Sequence, residues 1–339
     1  TYPLLLLRTL WGKGCFHMSF PVPSLTGCAF PTSFFFLSAL TLCVILANGW
    51  TDAPNAIASA VSSHALTFAS AVRLAAVCNF GGTVLMSLLH PAVAETVFAL
   101  LPSSGDPRLV MASLCASLST VVLWAVAAWR FGIPTSESHA LIASLSGSAL
   151  ALGGGPSNIN FPAWRGILLG MVFSVGLSLF LGRAFSLGFS RLASPGWESF
   201  CRNGQILSAA AMAFLHGAQD GQKFIAVFLL GAALTGTSPR PVHGEIPLEL
   251  LVLCSLAMGL GTALGGRRII KKVACDMVQL DLRQGLSSDL AAAFSLLFST
   301  VTGCPVSTTH AKTAAILGAG SVSQRSANWK IAFSILWVW

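Results

Sequence analysis

Charge is what this sequence has least of. Lys, Arg, Asp and Glu together make up 9% of its 339 residues, where a soluble domain carries about 25%. With 54% apolar residues and a mean hydropathy of +0.77, an ordinary soluble globule is excluded. The nine cysteines include no Cys-x-x-Cys pair and sit mostly in apolar runs, which reads as small core residues rather than metal ligands or disulfides. Gly-x-Ser-x-Gly and His-Glu-x-x-His are both missing, which removes the common serine-hydrolase and zinc-peptidase signatures. The ten-residue alternation of a membrane β-barrel is missing as well. Basic residues are not interleaved with aromatics, so the net charge of +8 does not point to nucleic acid.

Long charge-free runs are what the chain has instead. Leu74–Ala94, Leu109–Trp129, Gly166–Gly182, Leu250–Gly266 and Leu290–Ala311 each approach the ~20 residues that span a bilayer. They predict an all-α polytopic membrane protein. Arg183, Arg191 and Arg202 form one basic cluster, and Arg267, Arg268, Lys271, Lys272 and Arg283 form another. Such clusters collect in cytoplasmic loops, and both are assigned there. The stretch from Arg267 to Asp289 is the most polar of the chain and predicts a solvated or interfacial helix. Glu95 to Arg108 reads as a loop, and Gly166 with Gly170 as a close-packing face. His64 reads as a packing or capping histidine.

One stretch organises the rest. Asn48 to Leu66 carries Asp52 and Asn55 inside apolar sequence, flanked by Gly49 and Pro54. A carboxylate at bilayer depth beside two helix breakers needs a polar partner. The pattern returns at His216–Lys223, with Asp220 lying 168 residues after Asp52 and Lys223 standing where Asn55 stands. A second motif also occurs twice, as PTSESHA from Pro134 and PVSTTHA from Pro305, offset by 171 residues. Two motifs recurring in one order at nearly one spacing indicate an internal duplication. The chain divides into an irregular segment 1–30, a first repeat 31–200 and a second repeat 201–339. The offset sets Trp339 opposite Leu168, so the second repeat is expected to stop short of its last span, and the first residues are given no function.

The four motifs together resemble the inorganic phosphate transporter family, most closely its bacterial branch, over roughly Leu37 to Gly320. The resemblance implies cation-coupled import of inorganic phosphate through two inverted repeats, without an enzymatic reaction or a cofactor. It also implies broken, re-entrant helices that meet near the bilayer midplane, and multi-pass placement in the cytoplasmic membrane. A homodimer is one arrangement open to such a protein.

The residues support the same chemistry. Proline starts helices well, and Ser or Thr hydroxyls there cap backbone N–H groups or donate to a ligand. Free N–H groups and the positive end of a helix dipole favour an oxyanion. Thr135, Ser136 and Ser138, with Ser307, Thr308 and Thr309, are therefore the phosphate-binding candidates. One such motif alone would serve as a structural cap; two, with His139 matching His310, point to a ligand held between the repeats. Buried aspartates would repel phosphate unless a cation compensates. Asn48, Asp52, Asn55, Gln219, Asp220 and Gln222 are candidates for that cation, with Asp52, Asn55 and Asp220 as a sodium site. Lys223 could replace a bound cation or touch phosphate. Glu137, inside the first anion motif where Thr308 stands in the second, could carry a proton. Sodium and proton coupling both stay open here. So does the anion, because hydroxyls and N–H groups separate phosphate poorly from sulfate. An intramembrane hydrolase fits the two-fold repetition less well than alternating access does.

Overall fold

The computed structural model describes residues 30–100, 106–154, 160–192, 196–234, 246–264, 266–271 and 280–322. The expected irregular segment 1–30, most of the expected loop Thr237–Glu249 and the chain end beyond residue 322 lie outside them, Phe30 apart.

The described residues are helical, and their order follows the polar interruptions of the sequence. Helix α1 (Phe30–Thr51) is uncharged throughout and ends at Asp52 and Ala53; Pro54 then opens α2 (Pro54–Ser62). Next come α3 (Phe68–Leu89), capped by Thr67, and the short α4 (Ala92–Ala99). The sequence from Glu95 to Arg108 predicts a loop; its first residues, Glu95–Ala99, instead continue this extra helix, and residues 101–105 lie outside the described residues. Asp106 caps α5 (Pro107–Arg130), which leads into α6 (Glu137–Ala149). A single π-helical turn follows at Leu150–Gly154. Then come α7 (Phe161–Ser190), α8 (Trp197–Leu234), α9 (Leu248–Leu264), the one-turn α10 (Arg267–Ile270), α11 (Leu282–Val301) and α12 (Thr308–Gly320). Four stretches are long and apolar enough to cross a bilayer: Thr32–Ser62, Phe68–Leu89, Pro107–Arg130 and Phe161–Ser190. The protein is an all-helical membrane protein.

Two apolar cores are stacked along the helices. The first packs α2, the start of α3, α10, α11 and α12 around Met212 to Leu215 of α8. The second packs α1, α5, α6 and α9 around Phe224 to Leu230 of the same helix. Each core therefore draws on both halves of the sequence. Helix α8 threads both, and its polar stretch His216–Lys223 falls between them. The α1–α2 break does the same in the opposite sense, with Asp52 at the seam.

Close crossings hold this arrangement. A Cβ on Gly217 would lie 2.2 Å from the Asn79 carbonyl oxygen, and one on Gly82 would lie 1.8 Å from that of Phe214. Helices α3 and α8 thus touch backbone to backbone, the contact that small residues permit in membranes. On α7, Gly170 abuts Cys304, but Gly166 meets nothing within 4 Å. The expected face is displaced along the helix to Gly182, where a Cβ would lie 2.4 Å from the Ala315 carbonyl.

Two further expectations change. Asp289 does not close a solvated basic segment. Asp281 and Gln284 form a reciprocal cap that starts α11 at Leu282, which carries Asp289 two turns into the core, fully buried. And only the first Asp stretch interrupts its helix; Asp220 lies in an uninterrupted helix of 38 residues. Pro54 explains the difference, because the second stretch has no proline. His64 ends α2 with φ of 59° and is exposed.

Candidate functional site

The two Pro-Ser motifs are built alike. Each follows a long helix, α5 or α11, that ends at a glycine with positive φ: Gly132 at 67° and Gly303 at 68°. Four positions on, the extended chain reaches a serine, and the serine caps the next helix. Ser136 Oγ accepts from His139 N–H at 3.2 Å, and Ser307 Oγ accepts from His310 N–H at 3.2 Å. The two helix starts face each other. Thr309 Oγ1 lies 2.9 Å from the Thr135 carbonyl oxygen, and the rings of His139 and His310 are 4.2 Å apart. From this meeting point α6 and α12 part. The end of α6 reaches the start of α5 through Ser148 and Ser113, while the end of α12 reaches α7 at Ser321 and Arg183.

The two aspartates sit against that junction. Asp52 accepts from Asn55 Nδ2 at 2.9 Å, from Thr308 Oγ1 at 3.2 Å and from the Thr309 hydroxyl. Asp220 accepts from Asn48 Nδ2 at 3.0 Å and from Lys223 Nζ at 2.7 Å. Lys223 also donates to Ser138 Oγ at 2.7 Å and to the Val306 carbonyl at 2.5 Å. Its three protons are thereby used on one aspartate and on both Pro-Ser motifs. Glu137 Oε1 lies 2.5 Å from Thr51 Oγ1, and its carboxyl faces that of Asp52.

His216 is the residue that sequence reasoning missed. Its Nε2 lies 3.9 Å from Asp52 Oδ2 and 3.6 Å from Asp220 Oδ2, and its Nδ1 is fixed by Asn79 Oδ1 at 2.7 Å. One ligand atom from each of Asp52, His216 and Asp220 falls within 4.8 Å of the others, all three residues being buried. The signal was present: His216 precedes Asp220 by four residues, so one helical face holds both. Around this trio, Asn48 Oδ1, Asn55 Oδ1, His216 Nε2 and Glu137 Oε2 are buried without a hydrogen-bond partner among the described residues. Unpartnered buried acceptors are costly, and a cation would satisfy them.

Gln219 and Gln222 are not brought to this cluster. Gln219 holds the turn before α12, donating to Thr300 Oγ1 at 3.0 Å and accepting from Val306 N–H at 3.4 Å. Gln222 holds α4, donating to the His90 carbonyl and accepting from Ala94 N–H. On α8 they flank Asp220 at positions one back and two forward, which point to other faces of a helix.

The phosphate transporter family matches the chain over residues 48–195 and 190–339. The chain belongs to the phosphate transporter family. It is 34% identical over 89% of its length to a probable low-affinity inorganic phosphate transporter of Rhizobium meliloti, covering 90% of that protein. It is 31% identical over 86% of its length to a protein of the same description from Bacillus subtilis, covering 87% of it. Among solved structures it is similar to one described as the sodium-dependent phosphate transporter, with a TM-score of 0.79 and 91% of this chain against 94% of that one. At 20% identity that last likeness carries the fold alone. The family's members are transporters, so the chain is a phosphate transporter and not an enzyme.

In this phosphate transporter the charge at the junction does not balance. Asp52, Glu137 and Asp220 bring three carboxyls, Lys223 brings one ammonium, and all four are buried to within 1%. An anion can join them only with added positive charge, as a metal cation or as protons.

Proposed function

We propose that the protein imports inorganic phosphate across the cytoplasmic membrane in symport with a cation, by alternating access of two inverted repeats. The observation that carries this reading is the meeting of two helix N-termini beside two buried aspartates. Thr135, Ser136 and Ser138 on one side, and Ser307, Thr308 and Thr309 on the other, would offer hydroxyl and N–H donors to one phosphate. Asp52 and Asp220, with the side-chain oxygens of Asn48 and Asn55, would supply the hard oxygen donors that sodium takes, and His216 would sit beside them as a neutral polar neighbour rather than a ligand. Lys223 then serves as a fixed counter-charge, and Glu137 as a proton carrier next to the anion.

The opposed courses of α6 and α12 from their common start support inversion of the repeats. The gathering of basic residues at one end supports its placement toward the cytoplasm. Arg267 lies over Phe68, Arg268 over Trp129, and Arg202 donates to the His64 carbonyl.

Labelled phosphate uptake into proteoliposomes, with sodium and proton gradients imposed separately, tests the reading. Saturable uptake driven by either gradient is expected. Uptake that ignores both gradients would refute coupling.

A further inference from the structure

A second set of buried charges lies apart from the phosphate junction. Lys312 of α12 and Asp289 of α11 form an ion pair, and Ser59 of α2 donates to the same Asp289 oxygen and accepts from Lys312 Nζ at 2.8 Å. All three side chains are fully buried. Asp289 Oδ2 has no hydrogen-bond partner among the described residues.

These groups are one step of a longer series. Asn55, Ser59 and Ser63 recur at intervals of four along α2 and so share one face. Asn55 touches the central cluster through Asp52. Ser59 meets Asp289 and Lys312. Ser63 donates to Gln205 Oε1 at 2.8 Å, and Gln205 Nε2 is another buried atom without a partner among the described residues. One residue on, the carbonyl of exposed His64 accepts from exposed Arg202. A polar line therefore runs from the junction, through the first core, to the basic end.

The other half of the molecule lacks it. By the two repeat offsets, Ser59 corresponds to Val227, Gln205 to Leu37, Asp289 to Leu118 and Lys312 to Leu141. All four counterparts are buried in the second core. The same positions are thus apolar between the junction and one end, and polar and charged between the junction and the other. A buried ion pair is a weak way to add stability, since similar volumes of apolar side chain do as well or better. The protein itself has the apolar solution in its second core. Retention of the charged one calls for a different use.

We propose that this line is the route by which the coupling cation passes between the central cluster and the basic end. Asp289 is its intermediate ligand, and Lys312 is a tethered cation that neutralises Asp289 whenever the travelling one is elsewhere. The inference rests on the cation-coupled reading above. It adds a site and a direction that the phosphate junction does not contain.

The test is the double variant Asp289→Leu/Lys312→Leu, which gives the first core the residues of the second. Purified protein is assayed for sodium-dependent phosphate binding in detergent, and for sodium-driven uptake after reconstitution. Binding within about twofold of wild type, with uptake at least tenfold slower, is the expected result. Wild-type uptake by the variant would overturn the route, and so would loss of binding in parallel with uptake, because the pair would then only be propping the junction. Should the double variant fail to fold, Ser59→Val leaves the ion pair intact and is judged by the same two measurements. Failure of the coupling reading is separable: the wild type would then carry phosphate without regard to either a sodium or a proton gradient.

Discussion

The hydroxyl of Thr309 donates to the carboxylate of Asp52, across 257 residues of sequence. The residue comes from a Pro-Ser motif of the second half and the acid from the Asp motif of the first. The groups proposed for the anion and for the cation are therefore in direct contact, so that occupancy of one would alter the electrostatics of the other. Predictions about either ion have to be read on both.

Asp52→Asn and Asp220→Asn should each abolish the stimulation of phosphate binding by sodium, since each removes one carboxylate from the trio. A sodium titration of phosphate affinity measures this. His216→Gln should act in the same direction but less strongly, because the amide keeps a polar atom near Asp220. Retained sodium stimulation in both Asn variants would place the cation elsewhere.

Ser136→Ala and Ser307→Ala should each weaken phosphate binding by roughly tenfold or more, given that a hydrogen bond to a charged group contributes about 1.5–3 kcal/mol. Both serines are also helix caps, so a loss of about 1 kcal/mol in stability should accompany the change. Ligand titration and thermal unfolding in detergent separate the two effects. Unaltered affinity in both variants would leave them as caps alone.

Glu137→Gln should flatten the pH dependence of uptake, because the amide holds the hydrogen-bonding shape of a protonated acid and cannot release a proton. Lys223→Asn, which restores the residue of the first repeat, should steepen the dependence on sodium by opening a place for a further cation. It should also destabilise the protein by about 3–5 kcal/mol, as Asp220 loses its buried partner. Initial uptake rates against pH and against sodium decide both. Two unchanged profiles would reduce these residues to packing.

Gly217→Ala and Gly81→Ala make a matched pair. A Cβ at Gly217 meets the Asn79 carbonyl at 2.2 Å, whereas one at Gly81 meets nothing within 4 Å. The first should cost about 1–3 kcal/mol by overpacking and also shift Asn79 away from His216. The second should leave the melting temperature unchanged.

Helix class and motif positions were legible because they are local. Charge-free runs set the spans, and each Pro-x-Ser stretch named its own cap. What could not be read was pairing between distant segments. Asn79 orients His216 from 137 residues away, and nothing near either residue marks the match. Lys312 has no acidic neighbour along the sequence, and only the packing of α11 brings Asp289 beside it. Composition misled at Asp289 because charged neighbours made its segment look solvated, while the cap at Asp281 starts a helix that carries it inward. Gln219 and Gln222 looked like ligands by adjacency to Asp220, yet a helix turns neighbouring side chains to different faces.

Helix α8 does not bend at Asp220, and that has a mechanical consequence. At 1.5 Å per residue its 38 residues make a rod about 57 Å long, against about 40–45 Å for a whole bilayer with headgroups. Such a rod must lean or protrude. Measured from Asp220, its arms are unequal: about 35 Å back to Trp197 at the basic end and about 21 Å on to Leu234. Rocking about the aspartate would swing the long arm about 1.7 times as far as the short one. In the proposed alternating-access cycle, an ion bound at that fulcrum would govern a larger displacement on the basic side than on the opposite side, and the two gates would be geared unequally.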